Sequence, residues 1–162
     1  MDDVTVIVGG KAGDGINSAG TMIAQLLNHL GYSVYLYFDY PSLIRGGHNY
    51  TIIRGTAAPG SPGTCGEKAD FLLALDQITV EQHHTRLKPD SVLLFTEGLV
   101  KANGQAVPVK EILEAEHAPA IMGNSAFIGG FARAAGIDWE IVEQVFRRHI
   151  PKGTDQNLRV AR

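Results

Sequence analysis

Residues 39–49 read Asp-Tyr-Pro-Ser-Leu-Ile-Arg-Gly-Gly-His-Asn, a run that combines a guanidinium with the backbone features needed to present it. Arg45 can offer a planar fork to a carboxylate or a phosphate. Pro41 fixes its own φ and drives Tyr40 into an extended conformation, which stiffens the approach to the arginine. Gly46 and Gly47 permit positive φ and let a ligand or a partner's backbone come close. Tyr40, Pro41, Ser42, Arg45, Gly46, Gly47 and Asn49 are therefore candidate ligand or interface residues. An ordinary connection between two strands, with Arg45 in solvent, accounts for the same residues without a ligand. The residue types leave both readings open.

A second candidate lies near the N-terminus, where Gly9-Gly10-Lys11-Ala12-Gly13-Asp14-Gly15 separates a β-branched run from a helical pattern. Free amides at the start of a helix attract anions. Gly10, Gly13 and Gly15 thus mark a candidate anion- or nucleotide-binding turn, with Gly13 expected at positive φ. A turn that merely lets helix and strand pack closely is the other reading. The dinucleotide fingerprint G-x-G-x-x-G is met only in its first pair, because Ser18 holds the third position. Asp39 lies further on than the roughly 20 residues expected of the ribose-binding acid. Lys11 is followed by Ala12, so a phosphate-binding P-loop is absent. Gly13-Asp14-Gly15 matches the opening of a thiamine-diphosphate signature, but the paired asparagines that close it do not follow.

Other reactive side chains form no constellation. His83 and His84 are adjacent and cannot share a helical face. His29, His48, His117 and His149 are scattered, and Cys65 is the single cysteine, so no zinc ligand set is present. The histidines read as surface or capping residues. No Ser-His-Asp order or G-x-S-x-G elbow occurs. Cys65 has no neighbouring cation or helix start to activate its thiol. Asp70 and Asp76 bracket a strand and read as capping groups. No catalytic and no metal-binding residue is expected.

The elements that carry these residues follow from periodicity. Residues 4–8 and 34–38 read as buried strands. Ala19, Met22, Ile23, Leu26, Leu27 and Leu30 recur at helical spacing, and Gly31 closes that helix. Strand, glycine turn, helix and strand predict a βαβ unit with a right-handed crossover. Residues 49–54, 71–75 and 91–95 add strands, 55–66 is a Gly/Pro-rich loop, 78–86 is a helix and 88–90 a turn. A short helix is expected over 110–116. Asn124 or Ser125 should cap a helix reaching residue 135, and Asp138 the last clear helix, over 139–149. The fold class is a single α/β domain, a mainly parallel Rossmann-like sheet flanked by helices.

A chain of 162 residues with 44% apolar content can bury one substantial core. A net charge of −3, with no basic run beyond Arg147-Arg148, argues against nucleic-acid binding. One cysteine excludes internal disulfides and fits a reducing compartment. No segment approaches the ~18 continuous apolar residues of a membrane span, and the N-terminus lacks the pattern of a secretory signal. The expectation is a soluble cytoplasmic protein with no membrane contact.

Several of these pieces also occur, in this order, in a known family. The glycine turn 9–15, Ala19-Gly20, Tyr40-Pro41-Ser42 with Arg45-Gly46-Gly47, Gly123-Asn124 with Gly129, and Asn157-Leu158 span residues 4–162. Together they resemble the gamma subunit, or gamma domain, of the 2-oxoacid:ferredoxin (acceptor) oxidoreductases, the pyruvate and 2-oxoglutarate ferredoxin oxidoreductase family. The resemblance implies conversion of a 2-oxoacid, coenzyme A and oxidised ferredoxin into acyl-CoA, carbon dioxide and reduced ferredoxin. It implies alpha and beta components as partners, ferredoxin as acceptor, and thiamine diphosphate, an iron–sulfur cluster and coenzyme A in the complex. With no thiamine signature and one cysteine, the chain by itself is expected to bind none of these redox groups and to be inactive in isolation. The 39–49 run looks most like that of gamma domains fused ahead of a thiamine-binding alpha domain. Residues 1–162 are thus expected to form either a whole gamma subunit or the N-terminal domain of a longer alpha chain. The resemblance does not name the 2-oxoacid. The alternative is a free-standing nucleotide- or anion-binding Rossmann-like module.

Overall fold

The computed structural model describes residues 3–39, 47–58, 63–64 and 66–162. β1 (Asp3–Lys11) runs through the middle of the sheet, buried from Val4 to Gly10. Val4, Val6 and Val8 enter one apolar cluster and Ile7 the other, so both faces of the strand are covered. That is why its sequence from Val6 to Gly10 is continuously apolar rather than alternating.

The described residues form a six-stranded sheet in the order β2-β3-β1-β4-β5-β6. The other strands are β2 (Ser33–Asp39), β3 (His48–Thr56), β4 (Ala69–Ala74), β5 (Leu87–Thr96) and β6 (Gln105–Val107). β1 pairs in parallel with β4, β4 with β5 and β5 with β6. β3 is antiparallel to both β1 and β2. The mainly parallel α/β sheet is present as expected. β2 runs in the same direction as β1, as the βαβ reading requires, but β3 is inserted between them.

The helices are α1 (Ile16–His29), α2 (Gln77–His83), α3 (Val109–Ala115), α4 (Gly123–Ala134), α5 (Trp139–His149) and α6 (Thr154–Ala161). α1, α4, α5 and α6 cover one face, where Ile23, Leu26, Phe127, Phe146 and Leu158 close over Val6, Val8 and Phe71. Phe71 and Phe131 meet edge to face at 5.1 Å, the geometry that ring quadrupoles favour. On the opposite face Val80 of α2 packs with Ile7, Ile52 and Leu72. Among the described residues no helix is long and apolar enough to cross a membrane.

Several local expectations are corrected. Residues 88–90 are not a turn but part of β5: its pairing with β4 passes from Ala69↔Leu87 to Phe71↔Val92, so two steps on β4 match five on β5. Pro89 is tolerated in that irregular stretch because no regular ladder bond is required of it. The helix expected over 78–86 divides into α2 and a 3-10 turn, His84–Arg86. Neither Asn124 nor Ser125 caps α4; Met122 stands at the cap, at the end of a 3-10 turn. Asp138 occupies the cap position of α5 without a side-chain bond to the helix. α6 was not expected at all. It crosses α4 at Gly129, where a Cβ would collide with the carbonyl oxygen of Ala161. Ser125 donates its hydroxyl to Oδ1 of Asn157 at 2.7 Å, and Asn157 donates Nδ2 to the carbonyl of Gly153 at 2.9 Å.

Candidate functional site

All strands except β3 point to one edge of the sheet, since each is parallel to β1 directly or through its neighbours. From that edge β1 leads to α1 on one face, while β4 leads to α2 on the other. Open α/β sheets take up ligands where successive connections part in this way.

The sequence candidates gather here as far as they are described. Ala12 donates its N–H to the carbonyl of Gly47 at 2.7 Å, which ties the glycine turn to the residues leading into β3. Asn49 sits opposite Gly10 in the β1–β3 register and is buried. Asn124, at the start of α4, donates Nδ2 to the carbonyl of Asp14 at 2.8 Å. Its amide fills the space that a Cβ on Gly15 would take. Gly13 has φ 105°, as expected, and nothing lies within 4 Å of where its Cβ would be. Tyr40, Pro41, Ser42, Arg45 and Gly46 lie outside the described residues, as does Cys65.

The turn is partly satisfied by its own chain. Lys11 donates its N–H to Oδ2 of Asp14 at 2.9 Å, and Asp14 returns an N–H to the carbonyl of Lys11 at 3.0 Å. An external anion at Gly10, Gly13 and Gly15 would therefore meet the carboxylate of Asp14 as well as the remaining amides.

Behind the edge lies a buried polar cluster that the sequence reading missed. His48 and His83 were expected at the surface, yet they are 8% and 4% exposed. Their Nε2 atoms lie 3.2 Å apart. Nδ1 of His48 is 3.9 Å from Oδ1 of Asp76. That carboxylate oxygen caps α2, accepting from the N–H of Thr79 at 2.9 Å and its hydroxyl at 2.6 Å. Tyr50 packs on His83 at 4.5 Å between ring centroids and donates its hydroxyl to Oδ2 of Asp39 at 2.6 Å. Burial holds the His48 imidazole below its ordinary pKa of 6.5 despite the pull of Asp76 and Asp39. Burial, then the charges of His48 and Arg86, push His83 down to about 4. Burial and the Asp39 carboxylate push the Tyr50 phenol up to about 12. One signal was available: Thr79 and His83 are spaced i, i+4 and so share the inner face of α2.

Two groups implied by the resemblance do not fit this chain alone. An iron–sulfur cluster needs several thiolates, and Cys65 is the single cysteine. The Gly13-Asp14-Gly15 turn turns its carboxylate back on Lys11, and no paired asparagines follow it. Among the described residues no group of three or more His, Cys, Asp or Glu side chains is placed to hold a metal ion.

A mainly parallel sheet with a glycine turn, a loop base and a helix start at one edge defines an α/β domain built to present that edge. The chain belongs to the pyruvate ferredoxin/flavodoxin oxidoreductase family, whose model matches residues 5–162. The alpha subunit of 2-oxoacid:ferredoxin oxidoreductase 2 from Aeropyrum pernix is 32% identical over 107 residues, 66% of this chain and 16% of that protein. The chain thus spans about a sixth of such alpha-type relatives. The structure of 2-oxoglutarate:ferredoxin oxidoreductase from Magnetococcus marinus, with 2-oxoglutarate, coenzyme A and succinyl-CoA bound, matches with a TM-score of 0.82 at 19% identity, covering 99% of this chain and 30% of that one. The gamma subunit of keto/oxoacid ferredoxin oxidoreductase from Geobacter sulfurreducens matches with a TM-score of 0.79 at 19% identity, covering 99% of this chain and 93% of that one. At these identities the structural likeness carries the fold. It is the fold of a gamma subunit, matched nearly end to end.

Proposed function

We propose that the chain is the gamma component of a 2-oxoacid:ferredoxin oxidoreductase, assisting components that turn a 2-oxoacid, coenzyme A and oxidised ferredoxin into acyl-CoA, carbon dioxide and reduced ferredoxin. The observation that carries this reading is the convergence of the glycine turn, residues 47–49 and Asn124 on one sheet edge, in a fold shared with a gamma subunit. Thiamine diphosphate and the iron–sulfur cluster belong to the alpha and beta components, because this chain lacks their ligands. Its part is to shape and close the site those components hold. A free-standing nucleotide-binding module is the less favoured reading, since the turn departs from the fingerprint and carries its own carboxylate. A ferredoxin-linked reaction and a lone cysteine suit the reducing cytoplasm.

Within that role Arg45 is assigned to an anion, either the phosphates of coenzyme A or an acidic group on the alpha component. Arg45→Ala in the assembled enzyme should raise the apparent KM for coenzyme A or weaken assembly, by ~1.5–3 kcal/mol for a lost charge-assisted hydrogen bond. Arg45→Lys should recover only part of this, because an ammonium cannot reproduce a two-pronged contact. If both variants assemble and turn over like the parent across a coenzyme A titration, residues 40–47 are only a connection.

A further inference from the structure

The His48–His83 contact has no part in that reading, and its geometry fixes more than a hydrogen bond. Two bare nitrogens 3.2 Å apart would repel, and so would two N–H groups, so one proton lies between the Nε2 atoms. Asp76 decides which ring supplies it. Nδ1 of His48 faces Oδ1 of that carboxylate at 3.9 Å, and a lone pair there would confront a negative charge. His48 therefore carries its proton on Nδ1 and accepts at Nε2, while His83 donates from Nε2. Nδ1 of His83 is left bare. That atom is buried with no hydrogen-bond partner among the described residues, so a proton there would find no acceptor, whereas a proton on Nδ1 of His48 has the Asp76 carboxylate 3.9 Å away.

We propose that Asp76, His48 and His83 form an acid-opened latch fastening the start of β3 to α2. At neutral pH the pair holds two protons, one on Nδ1 of His48 and one shared between the rings, and the single vacant nitrogen is Nδ1 of His83. A third proton, taken from solvent, can bind only there. It would convert that nitrogen into a buried N–H cation without an acceptor, so the ring must turn toward water and break the Nε2–Nε2 bond. Among the described residues the groups facing the pair include Asp39 at the end of β2, Tyr50 on β3, Asp76 at the start of α2 and Arg86 in the turn that follows it. Asp39 and Asp76 favour uptake of the proton; burial, then His48 and Arg86, oppose it and prevail, which keeps the latch shut at neutral pH. Opening would free residues 48–50, next to the Gly47 carbonyl that holds the glycine turn.

Long-range proton–nitrogen NMR on the ¹⁵N-histidine-labelled 162-residue chain tests this directly. Near pH 7 His48 should show the less common Nδ1–H tautomer and His83 the Nε2–H tautomer. On acidification His83 should titrate about two units or more below the free imidazole value of about 6.5. Protection factors of the amides at residues 48–50, that is exchange relative to the intrinsic rate at each pH, should fall at least about tenfold in the same interval, as expected of local opening. Asp76→Asn keeps an oxygen acceptor for Thr79 but removes the charge, and should move His48 to the Nε2–H tautomer. Two Nε2–H tautomers in the parent chain, titration of His83 near its free value, or protection factors unchanged down to about pH 4 would each overturn the latch.

Discussion

Taking His83 out of water penalises its charged form by more than Asp39 and Asp76 return, which is why its pKa falls to about 4. An unfolded imidazole titrates near 6.5. Below that pH the unfolded chain binds a proton that the folded chain refuses. The stability contributed by the neutral ring is thus complete above about pH 6.5, declines as pH falls toward about 4, and totals about 3 kcal/mol across that window. Thermal melts of the parent at a series of pH values should show this decline, and His83→Phe should flatten it. Identical pH profiles for the two would mean that the ring is not held neutral by burial. Gly129 offers a purely steric test. Its missing side chain lets α4 lie against the last turn of α6, so Gly129→Ala should destabilise by at least ~1–3 kcal/mol, the usual cost of overpacking, in urea titrations. A midpoint equal to the parent's would show that the two helices can move apart freely.

The turn between β1 and α1 is where sequence and structure agree most closely. Gly13 has the positive φ expected of it, and the open space around it means that a larger residue would meet torsional strain but no collision. Gly13→Val should therefore cost ~1–3 kcal/mol, the range for a non-glycine residue forced into that region. A melting temperature unchanged from the parent would show the turn to be unstrained. β1, α1, α5 and the apolar strands were legible because burial leaves a periodic trace. The direction of β3 was not, since an apolar run records burial and says nothing about polarity. α6 was hidden by its length and by the polar residues Thr154, Asp155, Gln156 and Asn157 that open it. Pro89 read as a turn because the irregular pairing that accommodates it exists only between two strands. The His48–His83 contact was hidden for the same reason: its partners lie 35 residues apart, and exposed His84 beside His83 disguised an inward-facing ring.

Among its described residues the molecule has one well-packed face, one face carrying α2, and an edge that gathers the glycine turn, residues 47–49 and Asn124, with no group of side chains placed to hold a metal ion. The pure chain should give no viologen reduction with pyruvate or 2-oxoglutarate, coenzyme A and thiamine diphosphate; turnover above the protein-free blank would overturn its assisting role. Co-purification tests that role most directly. An affinity-tagged copy of the chain, co-expressed with the alpha and beta components of a 2-oxoacid:ferredoxin oxidoreductase and purified without oxygen, should retain both in fixed proportion. The product should be brown, with iron–sulfur absorption, and should reduce viologen in the presence of a 2-oxoacid and coenzyme A. A colourless chain that emerges alone and binds a nucleotide unaided would contradict the assignment.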